Sequence, residues 1–146
     1  MPNTDLKKEQ PVPVVWIIWF AILQGALVIQ WVIGEGIPEG ENAAESMDAW
    51  LWLIVFIPII LAIAIRWLII PKLDKLEAKM TAMIAGLALA EAPIMLSLFL
   101  MLPDYPQNQI AVLMVGVVAI FQFAPFYAKR NAGGVSRSER SDKTGL

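Results

Sequence analysis

The sequence contains no cysteine and no histidine. Without thiols there are no disulfides and no Cys-based metal or redox chemistry. Without imidazole there is no Ser-His-Asp catalysis, no His-ligated haem and none of the usual zinc sites. Charge is scarce as well: 16% of the 146 residues are Asp, Glu, Lys or Arg, against about a quarter in an ordinary globular domain. The net charge of −2 gives no basic footprint for nucleic acid. These shortages exclude a soluble enzyme, a disordered chain and a nucleic-acid binder. The chain is read as not an enzyme, with no catalytic residues, no cofactor and no metal expected.

What the sequence has instead is apolar length. Apolar residues make up 58% of the chain, and they gather into four runs. These are Val14 to Ile33, Trp50 to Ile70, Met80 to Leu102 and Gln109 to Ala128, of 20, 21, 23 and 20 residues. At about 1.5 Å per residue each reaches about 30 Å, the thickness of a bilayer's hydrocarbon core. Barrel strands alternate polar and apolar positions, and these runs do not. The expected fold is all-α: a polytopic membrane protein with four transmembrane helices over residues 14–128. A short segment at 1–13 precedes them. A tail at 129–146, with Gly133, Gly134 and mixed charges, has too little apolar surface to fold around and is expected to be disordered. The first run is longer than a signal-peptide core and no small-residue cleavage site follows closely, so it is read as a retained span.

Orientation comes from the basic residues. Lys7 and Lys8 precede the first span, Arg66, Lys72, Lys75 and Lys79 surround the second connection, and Lys129, Arg130, Arg137, Arg140 and Lys143 follow the fourth span. The other two connections, 34–49 and 103–108, contain no Lys or Arg. The positive-inside rule then places both termini in the cytoplasm, for a multi-pass protein of a bacterial-type inner membrane. Trp16, Trp19 and Trp67 fall at cytoplasmic span ends and Trp31, Trp50 and Trp52 at outer ends, as expected of headgroup anchors.

The outer connection carries Glu35, Glu39, Glu41, Glu45 and Asp48. It lacks the residue pattern of a calcium-binding loop and is read as a solvated acidic loop. Asn42 followed by Glu45 has capping-box spacing, which predicts that the second helix begins near Ala43. On the cytoplasmic side, Pro71, Asp74 and the spacing of Leu73, Leu76 and Met80 predict that the third helix begins before the membrane.

One residue asks for a function. Glu91 lies midway between Met80 and Leu102, where a charged side chain costs about 2.5–3.5 kcal/mol on insertion scales. A carboxyl at that depth is suited to exchanging a proton or binding a cation. Pro93 follows two residues later and deprives the Leu89 carbonyl of its helical donor, so a helix break is expected there. Broken helices of this kind line midplane sites in transporters. By depth Gln24 is the preferred partner, about 15 Å into the first span where Glu91 is about 16 Å into the third. Gln122 is second, through a water. Arg66 is close enough to the end of its span to snorkel to the headgroups. On the third helix Ala82, Gly86, Ala90, Pro93 and Ser97 form one small-residue stripe, a surface that lets helices approach closely. Glu91 lies opposite. If the stripe packs inside, Glu91 faces lipid or a second copy; if the bulky side packs inside, the stripe is free for oligomerisation.

Locally, Gly86-Leu-Ala-Leu-Ala-Glu91-Ala-Pro93 resembles the ion-binding helix of rotary ATPase c subunits, which place one membrane carboxylate on an Ala-rich helix. The glycine-rich partner helix and polar loop of those subunits have no counterpart here. The four-span, one-glutamate design is similar to the small multidrug resistance family, whose glutamate lies in the first span, where this chain has Gln24. Neither resemblance extends over the chain.

Two function classes follow. With one midspan carboxylate and little other chemistry, the first is a structural or accessory component of a membrane assembly. Its partners would be membrane lipids and either further copies of itself or another membrane protein. The alternative is a small proton- or cation-coupled transporter with Glu91 as carrier.

Overall fold

A computed structural model describes residues 12–126 of the chain. The N-terminal residues 1–11 and the expected disordered tail lie outside the described residues. The described residues form an all-helical, up-down-up-down arrangement. Helix α1 is Val12–Ile33, α2 is Ala49–Ala64, α3 is Leu76–Leu100 and α4 is Pro106–Phe121. A π-helical turn, Ile65–Ile69, and a 3₁₀ turn, Ile70–Lys72, prolong α2 without a gap. Three stretches are long and apolar enough to cross a membrane: Pro13–Ile33, Ala49–Lys72 and Leu76–Leu100. Two ends can be told apart. The loop end holds the long α1–α2 connection and the α3–α4 turn, and the basic end holds the α2–α3 connection.

Helix α3 is the hub, packing against α1, α2 and α4. The small-residue stripe turns inward: Gly86, Ala90, Pro93 and Ser97 are buried and Ala82 is half-buried. The bulky neighbours Met83, Leu87 and Ile94 are buried too, so the interior face of α3 is broader than the stripe alone. Two glycines set the closest approaches. A methyl group on Gly116 of α4 would lie 2.5 Å from Ile94 Cγ1, and one on Gly86 would collide with the ring of Phe123. Phe123 is fully buried because Gly86 leaves it room.

Helix α4 differs from the expected fourth span. It has 16 residues, about 24 Å at 1.5 Å per residue. It begins at Pro106, earlier than expected, since proline suits the first helical position. It stops at Phe121 because Pro125 has no N–H and its ring would press on the carbonyl four residues back, that of Phe121. The chain turns there instead, with Ala124 N donating to Phe121 O at 3.0 Å. Residues 127 and 128 of the expected span lie outside the described residues.

The expected start of α2 near Ala43 is not observed; α2 begins at Ala49. Asn42 serves a different helix. Its Oδ1 accepts from the backbone N–H of Gln107 in the first turn of α4 at 3.0 Å, and its Nδ2 donates to Asn108 Oδ1 at 3.1 Å. Ala43 N donates to Asp104 O at 2.8 Å. The acidic loop is thereby fastened to the α3–α4 turn, with Glu35, Glu39, Glu41, Glu45 and Asp48 all exposed. Pro71 likewise falls in the 3₁₀ turn that ends α2 rather than at the start of α3. Asn42→Ala should lower stability by about 1 kcal/mol through the lost cap, whereas Glu45→Ala should leave it unchanged. Thermal unfolding in detergent checks both. A loss with Glu45→Ala and none with Asn42→Ala would return the cap to the local Asn42–Glu45 pair.

Candidate functional site

Glu91 sits on the border between the interior and outer faces of α3, half-buried and turned toward α1. A methyl group on Gly25 would lie 4.0 Å from Glu91 Oε1. The carboxyl therefore fills a notch that α1 leaves open by carrying no side chain at position 25. Among the described residues the side chain of Glu91 takes part in no hydrogen bond or ion pair, and no group of three or more metal-ligating side chains comes together. Its oxygens are not fully enclosed: among the described residues the buried side-chain atom left without a partner is Gln109 Oε1.

The two glutamines proposed for this site go elsewhere. Gln24 follows Leu23, a buried core residue of α1, and itself faces outward, exposed. It makes no hydrogen bond to Glu91. Gln122 lies at the broken end of α4, level with Gly86, about one and a half turns toward the basic end from Glu91. There its backbone oxygen accepts from Arg66 Nε at 2.6 Å and its Oε1 accepts from Trp67 Nε1 at 3.2 Å. The Arg66 guanidinium also stands 5.5 Å from the centre of the Trp67 ring. Arg66 is thus turned onto the α4 terminus rather than simply extended toward headgroups.

Pro93 does not break its helix. Helix α3 runs unbroken through it, from Leu76 to Leu100. A proline removes one helical hydrogen bond, and here close packing holds the backbone in place, with Ala90, Pro93 and Ile94 all fully buried. The break the sequence promised at Pro93 occurs at Pro125, where Phe121 O and Ile120 O accept from the backbone N–H groups of Ala124 and Phe123 and side chains supply further donors. Besides Arg66, the indole of Trp19 donates to Ile120 O at 3.0 Å. Trp19 is buried and touches Phe121 edge-on at 5.6 Å between ring centres. It is a structural donor rather than a headgroup anchor. Trp31, Trp50 and Trp67 are exposed, in keeping with anchoring.

A second polar layer, which depth arguments missed, closes the loop end. Gln109 Nε2 donates to Gln30 Oε1 at 2.8 Å, and Gln30 Nε2 donates to Gly36 O at 3.0 Å. Both glutamines are buried. The signal available in the sequence was one glutamine within a turn of each span end facing the same connection. Between the two polar layers the interior is filled mostly by apolar side chains, Leu87, Ala90 and Ile94 among them, and the buried Ser97 hydroxyl there donates to Ile94 O of its own helix at 2.9 Å. One small cavity of about 40 Å³, between the Trp52–Ile59 stretch of α2 and Val112 and Val115 of α4, is lined entirely by apolar residues.

Trp19→Phe keeps an aromatic ring and removes the donor to Ile120 O, so it should cost about 1 kcal/mol or more. Trp31→Phe, at an exposed ring with no hydrogen bond among the described residues, should cost nothing measurable. Unfolding of the purified variants in detergent checks the contrast. Equal stability of the two would show that the α4 terminus does not depend on the indole.

Comparison of the chain with protein-family models, with curated proteins and with solved structures finds no match in any of the three.

Proposed function

We propose that this chain is a small integral membrane protein that serves as a structural or accessory component of a larger membrane assembly. The observation that carries the reading is the setting of Glu91: a half-buried carboxyl well inside a membrane-length helix, with no polar partner among the described residues. Lipid tails offer nothing to such a group, so a polar side chain of a neighbouring transmembrane segment is its natural complement. A proton- or cation-coupled carrier would use Glu91 differently, since it needs a polar route from the carboxyl to both sides. The apolar packing of Leu87, Ala90 and Ile94 favours the assembly reading over that one.

The test is retention of mass. Extracted in mild detergent, the wild-type chain should run in a complex heavier than its own 16.2 kDa, and Glu91→Leu should run as the single chain with an unchanged melting temperature. Proton or cation flux above empty liposomes from vesicles containing the wild-type chain alone, abolished in Glu91→Gln, would overturn the reading in favour of the carrier.

We further propose a bacterial-type inner-membrane location with both termini in the cytoplasm, which puts the loop end outside and the basic end inside. Alkaline phosphatase fused after Gly40 or Gln107 should be active, and after Lys75 inactive. Activity after Lys75 with none after Gly40 would invert the orientation.

A further inference from the structure

Along the membrane-length helices, two polar side chains lie near the same depth and have no partner among the described residues. One is Glu91, half-buried in the α1–α3 notch; the other is Gln24, exposed on the outer side of α1. The depth match is a structural one: the Glu91 carboxyl lies against Gly25, the residue next to Gln24. Chemically they are complementary. A neutral carboxyl donates one hydrogen bond and accepts another, and a carboxamide does the same, so the two groups close a two-bond ring. Yet within one chain they point to different sides of α1, about 100° apart around its axis.

We propose that they pair between two copies of this chain. This rests on the assembly reading of Glu91 and names the assembly partner as a second copy. A two-fold axis along the membrane normal preserves depth, so groups that share a depth in one copy meet their complements in the other. Each copy then gives its Gln24 to Glu91 of the partner subunit, and both orphans on both copies are satisfied. The local surface of α1 permits the approach. Ala21 is exposed and Gly25 half-buried one turn apart, a small-x-x-x-small spacing that lets two helix backbones cross closely. On α3 the exposed Ala88 lies about 60° round from Glu91, between it and the exposed Ala85, while Ile84 is exposed two turns away on the line of Glu91 itself. Bulky apolar side chains are exposed both on α2, with Leu53, Ile57 and Ile60, and around Gln24 on α1, with Ile17, Phe20, Leu27 and Val28. It is polarity, in the two unpaired side chains Gln24 and Glu91, that selects this side of the molecule.

The chain has no cysteine, so single substitutions report contacts directly. In vesicles of neutral phospholipid, Ala21→Cys should cross-link to a dimer on mild oxidation, since crossing helices bring the two α-carbons within disulfide reach of about 7 Å. Leu53→Cys should not. Gln24→Leu and Glu91→Leu should each weaken self-association about tenfold, on the scale of an interhelical hydrogen bond. The exchanged double variant, Gln24→Glu with Glu91→Gln, should restore it, an outcome that a merely structural role for either residue does not produce. Failure of Ala21→Cys to cross-link, with Glu91→Leu still releasing a different chain from the complex, would overturn the pairing of copies and leave the assembly reading standing. A monomeric wild type whose mass is indifferent to Glu91→Leu would overturn both.

Discussion

A backbone carbonyl in an apolar bilayer has no water to turn to, and that constraint bears hardest on helix α4. Pro125 ends the helix at Phe121, some way short of the basic end of the bundle, and exposes carbonyl groups that a longer helix would have satisfied itself. The rest of that end is arranged around them. Trp19 of α1 donates to Ile120 O and Arg66, in the π-helical turn that follows α2, donates to Gln122 O. The π turn carries Arg66 and Trp67 as neighbours, and both side chains reach Gln122. Phe123, just past the break, is then directed into the space that Gly86 leaves on α3. One proline thus links the sequence of α4 to the placement of residues on every other helix.

That the described residues form four helices was legible because it rests on a strong, summed signal: four apolar runs separated by polar connections. Three of the four runs correspond to membrane-length helical stretches. The inward packing of the Gly86–Ser97 stripe was one of two readings that the wheel left open, since periodicity shows which residues share a face and not which face is covered. The polar partners were much less legible. Asn42 had two helices to cap, and spacing favoured the local one; the distant N-terminus of α4 took it because the loop folds back onto the α3–α4 turn. Gln122 matched Glu91 only loosely in depth, and the break at Pro125 gave it nearer partners. Prolines were misjudged for a related reason. Chain chemistry is the same at Pro93 and Pro125, and what differs is packing: Pro93 is enclosed within a helix that α1, α2 and α4 brace, while Pro125 lies near the end of its helix.

Two of the charged residues within the membrane-length helices, Arg66 and Glu91, show opposite solutions to the same cost. Arg66 lies near an end of its helix, and its guanidinium is engaged by a carbonyl and by an indole ring. An arginine so engaged brings stability to the chain that carries it, since removing it strands the Gln122 carbonyl. Glu91 lies far from either end, and its own bundle gives it only the blank side of Gly25. A carboxyl left in that state lowers the stability of the isolated chain or, at best, is neutral to it. Replacing it with leucine would suit the single bundle better. On the assembly reading proposed above, a polar group on a neighbouring helix would supply what the described bundle does not, with a gain that only association can realise.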